Sequence, residues 1–512
     1  MMSTALKRMI CIFVLGAALS VVWAQKLITY DAGMGTRSYD DPDVWILYQR
    51  VKAVHEGMVL YADSALYNTK QNDFTAYGDV KIELTDTTTI YGDRLFYDAN
   101  SRVVDIWDDT VRFIDGKTLL KTNHLSYDRN TSIASYNNWG WTTNEDKRLV
   151  SRIGNYNSDT KIFYIYVQVD LSDSNMQLYT DTLIYNMNTH IAEFWSPTYI
   201  YTDSATMYSE RGTYDTDKRY AFSTQASQVV NNEKQIFSDT LRYDEVTEFG
   251  IANGHVRLLD TVNNITCTGR YGETSQERHT SFITDSALVV FVSKNQEDST
   301  KLDTMYLHAD SVLVVNDSAK QFVSVMAHHH VKTYRKDSQA MCDSAFYSVP
   351  DSTLKMFYAP VVWYDHYQCS ADTIVLVHDS NGMRHAYLNK NGFCIEQLDP
   401  DKFNQVKGRN MVVYFKEGEP DYADILGNAE MVYYITEEDG QGNVSLIGVN
   451  VGKGSDMRIY FKDRAPEIVS TYGKPDMNAY PIGKLEPEKR KLADFLWLDK
   501  RRPKSPTDVF VW

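Results

Sequence analysis

The sequence predicts an almost all-β protein built as a stack of antiparallel repeats, and three observations carry that reading. A five-residue phrase ending in Tyr recurs about every 30 residues, apolar and polar positions alternate within it, and turn-forming residues separate the runs. The phrase reads Asp63-Ser64-Ala65-Leu66-Tyr67, Asp93-Arg94-Leu95-Phe96-Tyr97, Asn123-His124-Leu125-Ser126-Tyr127, Asp181-Thr182-Leu183-Ile184-Tyr185, Asp239-Thr240-Leu241-Arg242-Tyr243 and Asp343-Ser344-Ala345-Phe346-Tyr347. Asp310-Ser311-Val312-Leu313-Val314 is a looser copy. The spacing is 30 residues from Asp63 to Asp93, 30 again to Asn123, and 33 from Asp310 to Asp343. A fixed period of this kind makes each copy one supersecondary unit that buries its apolar face against its neighbours.

Residues 1–24 read as a secretory signal: Lys7 and Arg8, an apolar run from Met9 to Val22, and Val22-Trp23-Ala24 before Gln25. The apolar run is short for a membrane span of about 20 residues, so export is expected rather than anchoring. Within the repeats, side chains alternate with a period of two. The Leu and Tyr of each phrase therefore share one face, and the variable residue between them takes the other. The inner face is expected to carry Leu95, Tyr97, Leu125, Tyr127, Leu183, Tyr185, Leu241 and Tyr243.

A second phrase, small-x-Gly-x-Val-x-apolar, follows many copies. It reads Ala76-Tyr77-Gly78-Asp79-Val80-Lys81-Ile82 and Ala252-Asn253-Gly254-His255-Val256-Arg257-Leu258. Here Val80, Ile82, Val256 and Leu258 fall on the inner face, whereas Lys81 and Arg257 point outward. Such alternation predicts half-buried antiparallel strands, with Gly78 and Gly254 read as turn residues. Helix signals are weak until 486–498, where Glu486 to Leu498 reads as a short amphipathic helix.

The repeat rhythm breaks at Glu273–Thr280 and Ser293–Lys301. The expected organisation is therefore a signal at 1–24, repeats at 25–272, further repeats at 273–482, and a basic, Pro-containing tail at 483–512 that is peripheral or poorly ordered. The net charge of −16 makes nucleic acid an improbable partner and gives no electrostatic grip on anionic head groups. Four cysteines follow the signal, Cys267, Cys342, Cys369 and Cys394, and their spacing fits no zinc site and fixes no disulfide pairing.

The residues that invite catalytic or metal readings have plainer ones. His328-His329-His330 overlays Tyr77-Gly78-Asp79 of the second phrase, and consecutive strand residues point to opposite faces, so an ordinary turn is expected and no metal site. The repeated Asp residues recur in every unit, whereas a catalytic carboxylate pair would occupy one place. No catalytic residue or cofactor is expected.

The phrases Asp63 to Tyr67, Ala76 to Ile82 and Tyr91 to Asp98, with Gly269-Arg270-Tyr271 and Lys407 to Phe415, resemble the OstA-like (organic solvent tolerance) family. That family includes the periplasmic bridge of lipopolysaccharide transport and the amino-terminal domain of the outer-membrane translocon. The resemblance covers most of 45–470 and is strongest over 55–135. It implies an elongated β-jellyroll whose V-shaped apolar groove shields the acyl chains of lipopolysaccharide, in the periplasm or at the outer membrane, without catalysis. It also implies assembly with other OstA-like components through edge strands, with peripheral membrane contact. The chain is much longer than a single bridge subunit and too short to add the translocon barrel. A structural envelope or outer-membrane β-protein without lipid cargo and a secreted β-helix acting on polysaccharide are the competing readings.

Overall fold

In the computed structural model the described residues are 27–294, 302–379, 382–438, 444–462 and 464–512, so the expected signal at 1–24 lies outside them. The chain divides into two compact units, 1–161 and 162–512. Both are antiparallel β-structures, as predicted.

The first unit is an up-and-down run of long strands: Val44–His55, Met58–Asn68, Asp73–Glu83, Thr88–Asp98, Val103–Asp115 and Thr118–Asp128. Each pairs antiparallel with the next. One 30-residue repeat is therefore two strands and two turns.

These strands bend in the middle. The register slips between Tyr77 and Val80 and again between Tyr91 and Arg94, and Gly78 and Asp79 both adopt positive φ (78° and 41°). A two-residue bulge of this kind re-aims the strand, so its halves form two different walls. We call the half holding the Leu-x-Tyr phrase the first wall and the other half the second wall. Gly78 and Gly254 accordingly sit at mid-strand bends rather than at the turns between strands that their sequence context suggests.

The inner faces of the walls meet. In the first unit Phe113 of the second wall touches Tyr127 and Tyr156 of the first, with ring centroids 5.9 and 5.8 Å apart. Val80, Ile82, Ile90, Leu95, Val104, Ile106, Leu120 and Leu125 fill the space between, all fully buried.

The recurrent Asp of the phrase lies at these bends. Asp63 packs beside Gly78, and Asp239 accepts from Nδ1 of His255 at 2.8 Å. In the histidine run, His329 and His330 hold the positive φ values of a bend inside the strand Phe322–Tyr334. They pair separately with Asp343 (3.1 Å) and Asp310 (3.0 Å). The expected turn is thus a bulge, and its histidines diverge.

In the second unit the long strands Phe249–Asp260, Ile265–Ser275, Thr280–Lys294 and Leu302–Asn316 continue the same pattern. The sequence break at 272/273 falls inside a strand that pairs with Thr280–Lys294, and 276–279 is a hairpin turn. Residues 295–301 of the other expected break lie outside the described residues. Cys369 and Cys394 are cross-strand partners joined by a disulfide, and Cys267 and Cys342 are free and buried.

The tail departs most from expectation. Of the helix expected over 486–498 only Pro487–Arg490 forms, as a 3₁₀ turn, before the chain extends, because the backbone is captured by side chains of the sheet beneath; Asp499–Arg501 and Pro506–Phe510 are further 3₁₀ turns. Gln405 accepts from the Leu492 N–H at 2.9 Å and donates to the Arg490 carbonyl at 2.8 Å. Gln368 does the same with the Leu498 N–H and the Leu496 carbonyl, both at 2.7 Å. Instead of a peripheral or poorly ordered end, 484–512 is a strap that runs back across the sheet. Leu485 packs with Val432, Tyr434 and Val449, then Leu492, Phe495 and Trp497 cover Phe393, Ile395 and Phe403. Leu498 covers Met341, Val361 and Trp363, and Phe510 lies 4.6 Å from the His308 ring.

The residues under the strap occupy outward positions of the second wall. Phe393 follows the bend at Lys390 and Asn391 by the same offset at which Lys81 follows the bend at Gly78 and Asp79. In this part of the second unit the outward face is apolar, and the strap takes the place of solvent.

Candidate functional site

Every sequence-predicted inner residue is buried between the walls of its own unit. In the first unit Leu95, Tyr97, Leu125 and Tyr127 line the first wall, and Val80 and Ile82 the second. In the second unit Leu183, Tyr185, Leu241 and Tyr243 line the first wall, and Val256 and Leu258 the second. The most exposed, Leu258, is 7% accessible. The intervening Arg242 is exposed and stacks on Phe222 at 5.2 Å, and Arg257 lies over Phe237 at 6.0 Å. The apolar interior is therefore closed by its own side chains, with a narrow cavity remaining beside Ile236, Leu241, Ala252, Val256, Leu258 and Cys267. Burial in this lining pushes the Cys267 thiol up to about 12.

On the side opposite the bends, where the walls would part, polar contacts tie them together. In the first unit His55 of the second wall meets the Tyr97 hydroxyl of the first at 2.6 Å. Arg129 donates to that hydroxyl at 2.8 Å and to the Glu56 carbonyl at 3.0 Å. Further along, the Asp115 carboxylate, 1% exposed, accepts from the Tyr156 hydroxyl (2.7 Å), Thr88 (3.2 Å) and Lys161 (2.5 Å). Burial and this carboxylate drive the Tyr156 phenol far above its ordinary range.

The second unit repeats the device. Glu245, its side chain fully buried, accepts from Arg219 (2.5 Å) and Tyr214 (3.2 Å) of the first wall and from Ser204 (2.8 Å) in a turn of the second. Burial alone would raise the Glu245 pKa, but hydrogen bonds from Arg219, Thr202 and Ser204 overcome it and hold the carboxyl below its ordinary value. A fourth tie joins Lys320 to Glu233 at 2.7 Å, with Asn263 accepting from the Phe322 N–H at 3.3 Å.

These clasp residues were missed at the sequence level, although a signal was there. Extending the inner-face alternation one step past Leu-x-Tyr reaches Arg129 after Tyr127 and Glu245 after Tyr243. Extending Val111 and Phe113 reaches Asp115, and Val51 and Ala53 reach His55. A charged residue at an inner position demands a partner, and each has one.

The OstA-like protein family matches residues 27–181 and 159–239. Across 27–239 the chain is therefore similar to OstA-like proteins. A search of curated proteins finds no match. Among solved structures, the crystal structure of LptH from Pseudomonas aeruginosa is similar at 14% identity. LptH is described there as the LptA homologous periplasmic component of the lipopolysaccharide transport device. That likeness covers 28% of this chain and 94% of the other, with a TM-score of 0.21. The OstA-like stretch contains the first two clasps, whereas Glu245 and the strap lie beyond it.

Proposed function

We propose that the protein is a non-catalytic periplasmic carrier of lipopolysaccharide that shields acyl chains between its walls on the way to the outer membrane. The observation that carries this reading is the two-walled apolar interior of each unit, in a chain whose amino-terminal stretch is OstA-like. Each methylene withdrawn from water is worth about 0.8 kcal/mol, so acyl burial can supply affinity that an acidic surface cannot. Because the interior is closed, the walls separate as chains enter. The Cys369–Cys394 disulfide is in keeping with an exported, oxidising compartment.

Assembly with other OstA-like components through edge strands fits the terminal strands. Among the described residues Thr29–Asp31 and Met34–Arg37 each pair only with Val44–His55, and Ala465–Tyr472 only with Val444–Lys462. Their free edges can accept another strand.

The test is photo-crosslinking in cells, with a photoreactive residue at Leu95, Leu183 or Leu241 and at outward Arg242 as control. Lipopolysaccharide adducts at the three inner positions and none at Arg242 are expected. An exported, folded protein that gives no adduct at any inner position refutes the carrier reading.

A further inference from the structure

The clasps contain cations that a carrier of neutral chains would not need. Lys161 and Arg219 are about one-third exposed, at 32% and 31%, whereas their partners Asp115 and Glu245 are sealed at 1% and 0%. An anion arriving at the open side therefore meets the cation before it meets the carboxylate. Arg219 holds Glu245 in a two-pronged contact, Nη2 to Oε1 at 2.5 Å and Nε to Oε2 at 3.3 Å. This planar fork fits phosphate as well as carboxylate. Hydroxyl donors converge on the same points: Tyr214 and Ser204 on Glu245, and Tyr156 and Thr88 on Asp115. With a net charge of −16 there is no diffuse positive field, so an anion would be recognised at discrete sites of this kind.

We propose that the Arg219 and Lys161 clasps are phosphate sites for the head group of an acylated, phosphorylated glycolipid, with Glu245 and Asp115 standing in for the phosphate while the walls are closed. The inference rests on the carrier reading, since it needs chains between the walls to bring the head group to their open side. A buried ion pair is close to break-even against its desolvation cost. Exchanging one anion for another at the same cation is thus a small step compared with breaking the pair outright. As the walls part, the displaced carboxylate gains water and the cation keeps an anionic partner. Lipid admission and clasp opening become a single exchange.

The experiment is equilibrium binding of the full exported chain to three probes: a bis-phosphorylated acylated glucosamine disaccharide, the same lipid with both phosphates removed, and the deacylated bis-phosphorylated disaccharide. The wild type should prefer the phosphorylated over the dephosphorylated lipid by about tenfold or more, the scale of one charge-assisted contact. Arg219→Gln combined with Lys161→Gln should erase most of that preference, read as the ratio of the two affinities measured on the same variant. Arg219→Lys should restore part of it, and Glu245→Gln should tighten binding of the phosphorylated lipid more than that of the dephosphorylated one. Circular dichroism melts of each variant separate misfolding from lost recognition, and Lys161→Gln alone, at the clasp of the first unit, gives an independent variant. Equal binding of both lipids by the wild type overturns the proposal and leaves the carrier reading standing. Equally tight binding of the deacylated probe overturns the head-group assignment in favour of a free-phosphate site. Failure to bind either lipid removes the carrier reading, and this inference with it.

Discussion

The carboxylate of Glu245, at the end of the first wall, lies 2.8 Å from the hydroxyl of Ser204, 41 residues earlier in a turn of the second. That one contact spans the open side of the second unit, and Arg219 holds the same carboxylate from the first wall.

Glu245→Ala should therefore destabilise the second unit by about 3 kcal/mol, the cost of leaving a partly buried cation without its partner. Urea unfolding followed by tryptophan fluorescence measures it. A loss below about 1 kcal/mol would mean that the clasp contributes no more than a surface pair.

The same carboxylate makes the stability pH-dependent. Its folded pKa is held below the ordinary 4.5 by Arg219, Thr202 and Ser204 acting against burial. A depressed acid contributes stability that is fully present above its unfolded value and is lost as pH falls through its folded value. Glu245→Gln should thus flatten the loss of stability below pH 4.5 while leaving the slope near neutrality unchanged. Thermal melts across that acid range check it, and parallel curves for wild type and variant would exclude the linkage.

The bends give a sharper test of the two-walled fold. At Gly78, φ is +78° and an added Cβ would sit 2.6 Å from Asp63 Oδ2. Gly57 has a similar φ of +84° but nothing within 4 Å. Gly78→Ala should cost about 2–3 kcal/mol, combining backbone strain with the clash, and Gly57→Ala about 1 kcal/mol from strain alone. Comparable losses at both positions would show that the Asp63 contact is not constraining the bend.

Much of this fold was legible in the Leu-x-Tyr parity, because a period of two is a direct imprint of a half-buried strand. Leu95 and Tyr97 face inward and Phe96 is 37% exposed, as the alternation requires. The bends were misread because Gly at a turn and Gly at a mid-strand bulge share the same positive φ, and only the partner register distinguishes them. The clasps lay one step past the pattern, where Arg129 and Glu245 look like ordinary polar turn residues. Contacts such as Gln405 with Leu492, 87 residues apart, have no local signature at all. The apolar Phe393 and Ile395 at outward positions were the sign that something covers that face.

The disulfide should matter locally. It closes a separation of 25 residues between adjacent strands, for which chain entropy predicts a stabilisation of about 3 kcal/mol. Cys369→Ser combined with Cys394→Ser should lower the unfolding free energy by that amount under oxidising conditions and abolish the wild type's sensitivity to dithiothreitol. Cys267 and Cys342 should resist alkylation in the native state, since burial pushes each thiol up to about 12. Rapid labelling of either without unfolding would contradict their placement.

The strap makes the most demanding prediction. Gln368 and Gln405 are nearly inaccessible, at 1% and 3%, and each amide closes two hydrogen bonds with strap backbone. Gln405→Leu fills the same space but leaves the Arg490 carbonyl and the Leu492 N–H without it, which should cost about 2–3 kcal/mol. Gln405→Glu keeps an acceptor for Leu492 and should cost less at acidic pH, where a protonated carboxyl can still donate. Deleting 484–512 uncovers Trp363, Phe393, Phe403 and Val432 together, an apolar patch of the kind that drives association. The truncated chain should aggregate, by light scattering, or bind a hydrophobic dye at concentrations where the full chain does neither. A monomeric truncated chain with unchanged stability would show that the strap rests on the sheet without holding it.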